Sequence, residues 1–171
     1  MDELIKAAVT LLQKRYNIQV EEFRGETSLL VSAEYHVEAA RTLRDEFEFN
    51  MLLDETAVDY FPQENPRFQI VYHLYSMAHQ QVLRVRVPAV DGNQPSIQTL
   101  ETVYPNANWK EREIWDMFGI HFKGHSDMRR ILMPDDWEGY PLRKDYPLGY
   151  EEVEFTFNFD EIDLRKPRGE L

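Results

Sequence analysis

The strongest constraint on this chain is a boundary. Up to Gly119 the apolar residues recur with helical or strand periods, and beyond it the periodicity stops. From Ile120 to Leu148, prolines and glycines lie close to charged pairs, in the run GHSDMRRILMPDDWEGYPLRKDYPL. A stretch of that length with no regular structure does not belong in a compact domain unless it is ordered by lying on something else. Further on, Val153, Phe155, Phe157 and Phe159 alternate with Glu154, Thr156, Asn158 and Asp160. That is one strand with an aromatic face, and such a face needs a surface to cover it. The chain therefore divides into a core domain over residues 1–119 and an extended C-terminal arm over 120–171 that reads as a binding element.

The periodic part begins with Leu4, Ile5, Ala8, Val9, Leu12 and Tyr16 at helical spacing, a helix over Asp2–Tyr16 with its acids at the favourable N-terminal end. Ile18–Phe23 and Ser28–Val31 around Arg24-Gly25-Glu26 predict a hairpin. Ser32 can cap a second helix over Ala33–Phe47, with Val37, Ala40, Leu43 and Phe47 facing inward. Three strands follow, at Met51–Phe61, Arg67–Met77 and Gln81–Val87. The last alternates Leu83, Val85 and Val87 against Arg84 and Arg86. A short helix near Ser96–Val103 precedes a third main helix from Asn106 or Asn108 to Gly119, and the main elements run in the order α-β-β-α-β-β-β-α, the short helix left aside. Helices and hairpins that do not alternate regularly predict an α+β fold, a mixed or antiparallel sheet with helices packed on it.

A chain of 171 residues with 43% hydrophobic and 13% aromatic content can bury a real core and is not disordered. Its net charge of -12 repels phosphate backbones and anionic headgroups, which argues against nucleic acid and against direct membrane-surface binding. The N-terminus lacks the apolar run of a signal peptide and no stretch is apolar enough to span a bilayer, so the chain reads as soluble and cytoplasmic, without membrane insertion. Cysteine is absent, so this chain offers no thiolate for a disulfide, a zinc site, an iron–sulfur cluster or nucleophilic attack.

His121 and His125 stand at a spacing that puts two metal ligands on one helical face, but Gly119 and Gly124 flank them and take away the helix, so no metal site is expected. Glu111, Arg112, Glu113 and Asp116 crowd one helical stretch. Arg112 and Asp116 can pair at i,i+4, and Glu113 with Asp116 repels unless a cation lies over them. They form either an acid–base pair or a face met by arginines from elsewhere, and the second reading is preferred because ion-pair networks perturb acids without doing chemistry. Arg129-Arg130 and Arg143-Lys144, with Asp135, Asp136 and Glu138 between them, suggest internal salt bridges or charge-matched docking. No phosphate loop, GxSxG or His-Glu-x-x-His is present, and no catalytic residue is expected.

Residues 111–148 resemble the complex I 30-kilodalton subunit family, whose bacterial members belong to the proton-pumping NADH:quinone oxidoreductase. Glu111, Arg112, Glu113, Trp115, Asp116, Met117, Phe118 and Gly119 fit its acid-Arg-acid opening and aromatic-Asp-hydrophobic pair-Gly step. Gly124, His125, Asp127, Arg129, Arg130, Ile131, Leu132, Met133 and Pro134 fit its second part, and Asp136–Gly139 with Pro141–Pro147 fit its close. Ser126 stands where Pro is usual after Gly-His, and Tyr140 where His or another ring residue is common.

The resemblance implies a peripheral-arm subunit with no redox centre of its own. It would support assembly and the proton-translocating transfer of electrons from NADH to quinone. FMN and iron–sulfur clusters would sit on neighbouring subunits, NADH and quinone would be substrates of the complex, and the arm would wrap against the neighbouring subunit designated D, the 49-kilodalton counterpart. Residues 120–160 would then gain order only in the complex. The expected interface set is Glu111, Arg112, Glu113, Asp116, Gly119, His125, Arg129, Arg130, Asp136, Trp137, Arg143, Lys144 and Asp145. The location implied is the cytoplasmic side of the bacterial inner membrane, peripheral and through the complex. Similar domains in energy-converting hydrogenases, in the archaeal deazaflavin-linked dehydrogenase and in the plastid-type complex supply the alternative, although WDMFG looks more like the respiratory form. A stand-alone enzyme using Glu113 and Asp116 is the other alternative. Glu151–Asp163, with six acids and no base, reads as a recognition surface for a basic partner.

Overall fold

Apolar residues at helical spacing put Ile5, Ala8, Val9 and Leu12 of α1 (Glu3–Tyr16) into the core. The computed structural model describes residues 3–63, 65–90 and 94–147; the strand expected at 153–160 and the acidic run at 151–163 lie outside the described residues. β1 (Gln19–Phe23) and β2 (Glu26–Leu30) pair antiparallel around a two-residue turn. Arg24 and Gly25 both take positive φ there, 52° and 85°, the geometry that matches the twist of a tight hairpin.

The second helix, α2, runs His36–Phe47 and starts three residues later than the sequence suggests. Ser32 is not its cap. The Ser32 carbonyl instead accepts the Tyr35 N–H at 3.1 Å, a turn that postpones the helix, and Tyr35 stands at the cap position without a side-chain bond. Val37, Ala40 and Leu43 are buried as expected and Phe47 is half-buried.

The three long strands fall where expected: β3 (Met51–Asp59), β4 (Phe68–Ser76) and β5 (Gln81–Pro88). They close a five-stranded mixed sheet of order β1-β2-β5-β4-β3, antiparallel except for the β2–β5 pair. Leu83, Val85 and Val87 are buried on the face that carries the core. Arg84 and Arg86 lie half-buried on the other face and bond to Glu26 and Glu21 from the hairpin. The register shifts between Leu52 and Asp54, a bulge that kinks the edge strand and blunts it against pairing with another chain.

Residues 96–103 are not a helix. Ser96–Gln98 is a short strand, β6, followed by turns. Ile97 lies opposite Phe122 of β7 (His121–Lys123) in a parallel pair, and both are buried. The apolar cover gained in that pairing outweighs weak helical spacing trapped between Pro95 and Pro105. The third helix, α3, spans Ala107–Phe118 and packs across β3. It ends at Gly119 with φ 71°, and the Gly119 N–H returns to the Trp115 carbonyl at 2.8 Å. One apolar cluster joins α1, α2, the sheet, α3 and β7. The fold is thus α+β, as expected.

Candidate functional site

α3 carries most of the motif residues, and its two faces treat them differently. Glu111, Arg112 and Asp116 are buried while Glu113 is exposed. The expected i,i+4 pair of Arg112 with Asp116 does not form. Arg112 instead reaches the carbonyls of Arg129 and Arg130 at 3.1 and 3.2 Å, with its guanidinium 5.2 Å from the Trp109 ring centroid. Asp116 accepts three successive backbone N–H groups on one oxygen, from Ile131, Leu132 and Met133 at 3.1, 2.8 and 2.9 Å, and its other oxygen takes Arg130. Successive amides that converge on one carboxylate form an anion nest. Burial pushes the Asp116 carboxyl up, but the bonds from Met133, Leu132, Arg130 and Ile131 outweigh it and hold it below the usual carboxylate value. The face is met by an arginine from elsewhere, and that arginine comes from the arm of the same chain.

Arg130 completes the knot. Its other nitrogen donates to the carbonyls of Trp137 and Gly139 at 2.8 and 3.3 Å, and its guanidinium lies 5.8 and 5.9 Å from the rings of Trp115 and Tyr140. Arg143 donates to the Phe118 carbonyl at 2.6 Å and sits between the rings of Phe68 and Tyr140, and the Leu142 N–H reaches the Met117 carbonyl at 3.0 Å. A Cβ on Gly119 would lie 2.6 Å from ring carbons of Tyr140, so this glycine is needed both for its φ and for the ring laid over it.

A second anchor adjoins the first, since Arg67 and Arg143 both lie over the Phe68 ring, at 4.7 and 5.3 Å. Arg67 bonds Asp59 at 2.9 and 3.0 Å and Asp145 at 2.6 and 2.9 Å, and the Lys144 N–H reaches Asp59 at 2.9 Å. The Arg67 hydrogen bond holds the Asp145 carboxyl below its ordinary value. Residues 120–147 are therefore bonded to their own core at both ends, although the sequence shows no regular period there. The chain carries no local signal for Asp59 or Arg67 as arm-holding residues, because their partner lies 78 positions beyond Arg67.

His125 belongs to a third small network. Its ring is enclosed, Nδ1 accepts the Asp127 N–H at 2.9 Å and Nε2 donates to the Asn108 carbonyl at 3.0 Å, which fixes the tautomer; Glu111 lies 3.9 Å away. His121 is exposed on β7, so the two histidines do not converge. Ser126 donates both its N–H and its hydroxyl to Glu101, and a proline at this position could not supply that amide. Glu111 itself accepts Thr99 Oγ1–H at 2.5 Å and the Leu100 N–H at 2.6 Å.

What remains toward solvent is a subset of the motif. Glu113, Asp136 and the Lys144 side chain are exposed, and Arg129 is 77% exposed while paired with Asp127. The indole of Trp137 is half-buried and its N–H has no partner among the described residues. Leu132 and Leu142 project outward at 61% and 54% exposure. Asp116 is committed to four donors and Glu113 faces solvent, so the two do not form a facing acid–base pair. No helix among the described residues is long and apolar enough to cross a membrane.

Comparisons with known proteins agree with this geometry. Residues 29–152 match the family described as respiratory-chain NADH dehydrogenase, 30-kilodalton subunit. The NADH-quinone oxidoreductase subunit designated C of Roseiflexus sp. strain RS-1 is 52% identical over 148 residues, covering 85% of this chain and 84% of the relative. The same subunit of Geobacter sulfurreducens is 47% identical over 131 residues, covering 77% and 80%. Among solved structures, the trypsin-resistant fragment (1–134) of Nqo5 superposes with a TM-score of 0.65 at 27% identity, over 72% of this chain and 98% of that one. A chain of the membrane-bound sulfane sulfur reductase, an archaeal respiratory membrane complex, gives 0.73 at 25% identity, over 86% and 87%.

Proposed function

The chain belongs to the family of the 30-kilodalton subunit of respiratory-chain NADH dehydrogenase, and from that premise we propose that it is a peripheral-arm subunit of an NADH:quinone oxidoreductase, a docking element and not a site of chemistry. One observation carries this reading: the buried charges of the motif are spent on the chain's own backbone. Asp116, Arg112, Arg130 and Arg143 fasten residues 129–143 to α3 and leave Glu113, Arg129, Asp136, Trp137 and Lys144 as the groups a partner can meet. The interface set of thirteen residues thus divides into those that shape the arm and those that touch the neighbour. Gly119, His125, Glu111 and Asp145 fall in the first group. We assign the neighbour as the 49-kilodalton subunit and the arm as residues 120–171, with the core over 1–119, although the arm's first residues, Ile120 and Phe122 of β7, are themselves packed into that core.

With no cysteine on the chain, FMN and iron–sulfur clusters belong to neighbouring subunits in this reading. NADH and quinone are then substrates of the complex, whose peripheral arm faces the bacterial cytoplasm. The chain's likeness to part of an archaeal respiratory membrane complex favours a second reading, the equivalent subunit of a related complex with another electron donor. Capture of the full chain with its partners from detergent-solubilised membranes tests both. Co-purifying flavin and iron–sulfur absorbance with NADH oxidation supports the first. The same absorbance without NADH oxidation supports the second, and turnover of a substrate by the isolated chain would overturn both.

A further inference from the structure

Two neighbouring residues of the sheet that α3 packs against carry buried polar atoms without a partner among the described residues: both carboxyl oxygens of Glu55 and the hydroxyl of Tyr72. Glu55 on β3 and Tyr72 on β4 are direct cross-strand partners, which sets their Cβ atoms about 5 Å apart. Both are buried to within a few per cent, Glu55 at 3% and Tyr72 at 1% exposure. A carboxylate in that position would hold a full negative charge in the core with no donor to receive it, and a buried acid in that situation takes up a proton instead.

The surroundings point the same way from every element packed against the site. α3 presents Glu111, whose negative charge acts on Glu55, and Lys110, which opposes it from the exposed end where it pairs with Asp54. Asp54, beside Glu55 on β3, adds further negative charge. α2 presents His36, whose ring stacks 6.5 Å from that of Tyr72 and whose nitrogens lie 2.9 Å from the carbonyls of Ala33 and Gln98, so it turns no donor toward Glu55. Two acids that repel through a common interior divide their proton according to who has donors. Glu111 has Thr99, the Leu100 N–H and a nearby His125, whereas Glu55 has none among the described residues. The proton belongs on Glu55.

We propose that Glu55 is a buried proton-binding site, held as the neutral acid opposite Tyr72 and beneath Glu111, and that loss of its proton loosens the seating of α3 on the sheet. Because α3 also grips the arm through Arg112 and Asp116, this proton is linked to the placement of the docking surface. Burial and the neighbouring acids push the Glu55 carboxyl well above its usual value, in keeping with the geometry.

Carboxyl-carbon NMR of the full 171-residue chain, labelled at glutamate, is the test. Glu111 accounts for one transition at about 7; a second resonance should keep its protonated shift beyond that transition and disappear in Glu55→Gln and in Glu55→Met. In Glu111→Gln its titration should move to lower pH, because a like charge has gone. If no glutamate besides Glu111 titrates clearly above the ordinary value of about 4.3, or if a resonance still protonated above the Glu111 transition survives both Glu55 variants, the site does not exist. Amide exchange along α3, corrected for base catalysis, should accelerate with pH in the natural chain and not in Glu55→Gln. Equal behaviour of the two chains would overturn the link to α3.

Discussion

At the scale of single residues, Asp116 organises the arm because an ionised carboxylate offers two charged acceptor oxygens, where an amide offers one neutral oxygen and an NH2 that cannot accept. Three amides and a guanidinium converge on it from residues 14 to 17 positions away. Asp116→Asn removes the charge while keeping the shape, and it leaves Arg130 facing an amide in a nearly closed site. Breaking a buried pair from one side costs about 3–5 kcal/mol, so urea unfolding of this variant should show a loss at the lower end of that range. Glu113, three positions earlier on the same helix, is exposed and has no bond to the arm among the described residues. Glu113→Gln should change stability by no more than about 0.5 kcal/mol yet weaken partner binding. Equal destabilisation by the two substitutions would show that Asp116 is not the anchor. The sign with pH follows from the direction of its shift. A carboxyl held below its ordinary value contributes stability above that value and loses it as the pH falls through the folded one.

At the scale of elements, α3 is where the core and the arm meet, and its pH behaviour has the opposite sign. Burial drives the Glu111 carboxyl up, Thr99, Leu100 and His125 resist, and the result is about 7 against an ordinary 4.5. The unfolded chain therefore binds fewer protons than the folded one between those two values, and stability falls as pH rises through that window. A shift of that size corresponds to about 3 kcal/mol. Glu111→Gln keeps the Leu100 N–H bond through its carbonyl and can donate to Thr99, so the variant should flatten the decline between pH 4.5 and 7. An unchanged profile would remove Glu111 as its source. Much of this element is legible in the sequence, since the αL glycine after it and the apolar spacing mark it out, although Asn106 before it makes no cap bond and donates instead to the Leu52 carbonyl. The partners of its charges are not. Arg112 and Asp116 at i,i+4 suggest a local pair, but backbone groups of residues 129–133 compete for both and win because they have no other partner near α3 among the described residues. The strands β6 and β7 escape for a related reason, since three residues carry too little alternation to register and their pairing is visible only once Ile97 and Phe122 meet. β5 is legible because it alternates over its own length, β4 because of its run of β-favouring residues, and the hairpin because of the glycine at its turn.

At the scale of the whole molecule, the acidity has a direction. The chain carries -12, and the arginines of α3 and the arm do little to offset this toward a partner, because Arg112, Arg130 and Arg143 end on carbonyls or on Asp116, and Arg129 on Asp127. Asp135, Asp136 and Glu138 remain exposed on the arm, and the six acids of Glu151–Asp163 follow it in sequence. A neighbour that receives this surface has to be basic where it meets the acids, while Leu132 and Leu142 supply apolar contact that salt does not screen. The two contributions separate by ionic strength. The screening length falls from about 30 Å at 0.01 M to about 8 Å at 0.15 M, which removes long-range steering but not close packing. Association of the full chain with its partner subunit, followed by stopped-flow over that range, should slow by about tenfold or more, with a smaller change in dissociation. Replacing the six acids of 151–163 by Asn and Gln should lower the low-salt rate and flatten its dependence on salt. Leu132→Ala with Leu142→Ala should do the converse, faster dissociation at every salt concentration. An association rate insensitive to salt in the natural chain would mean that the charge serves solubility alone and that the arm docks by its apolar residues.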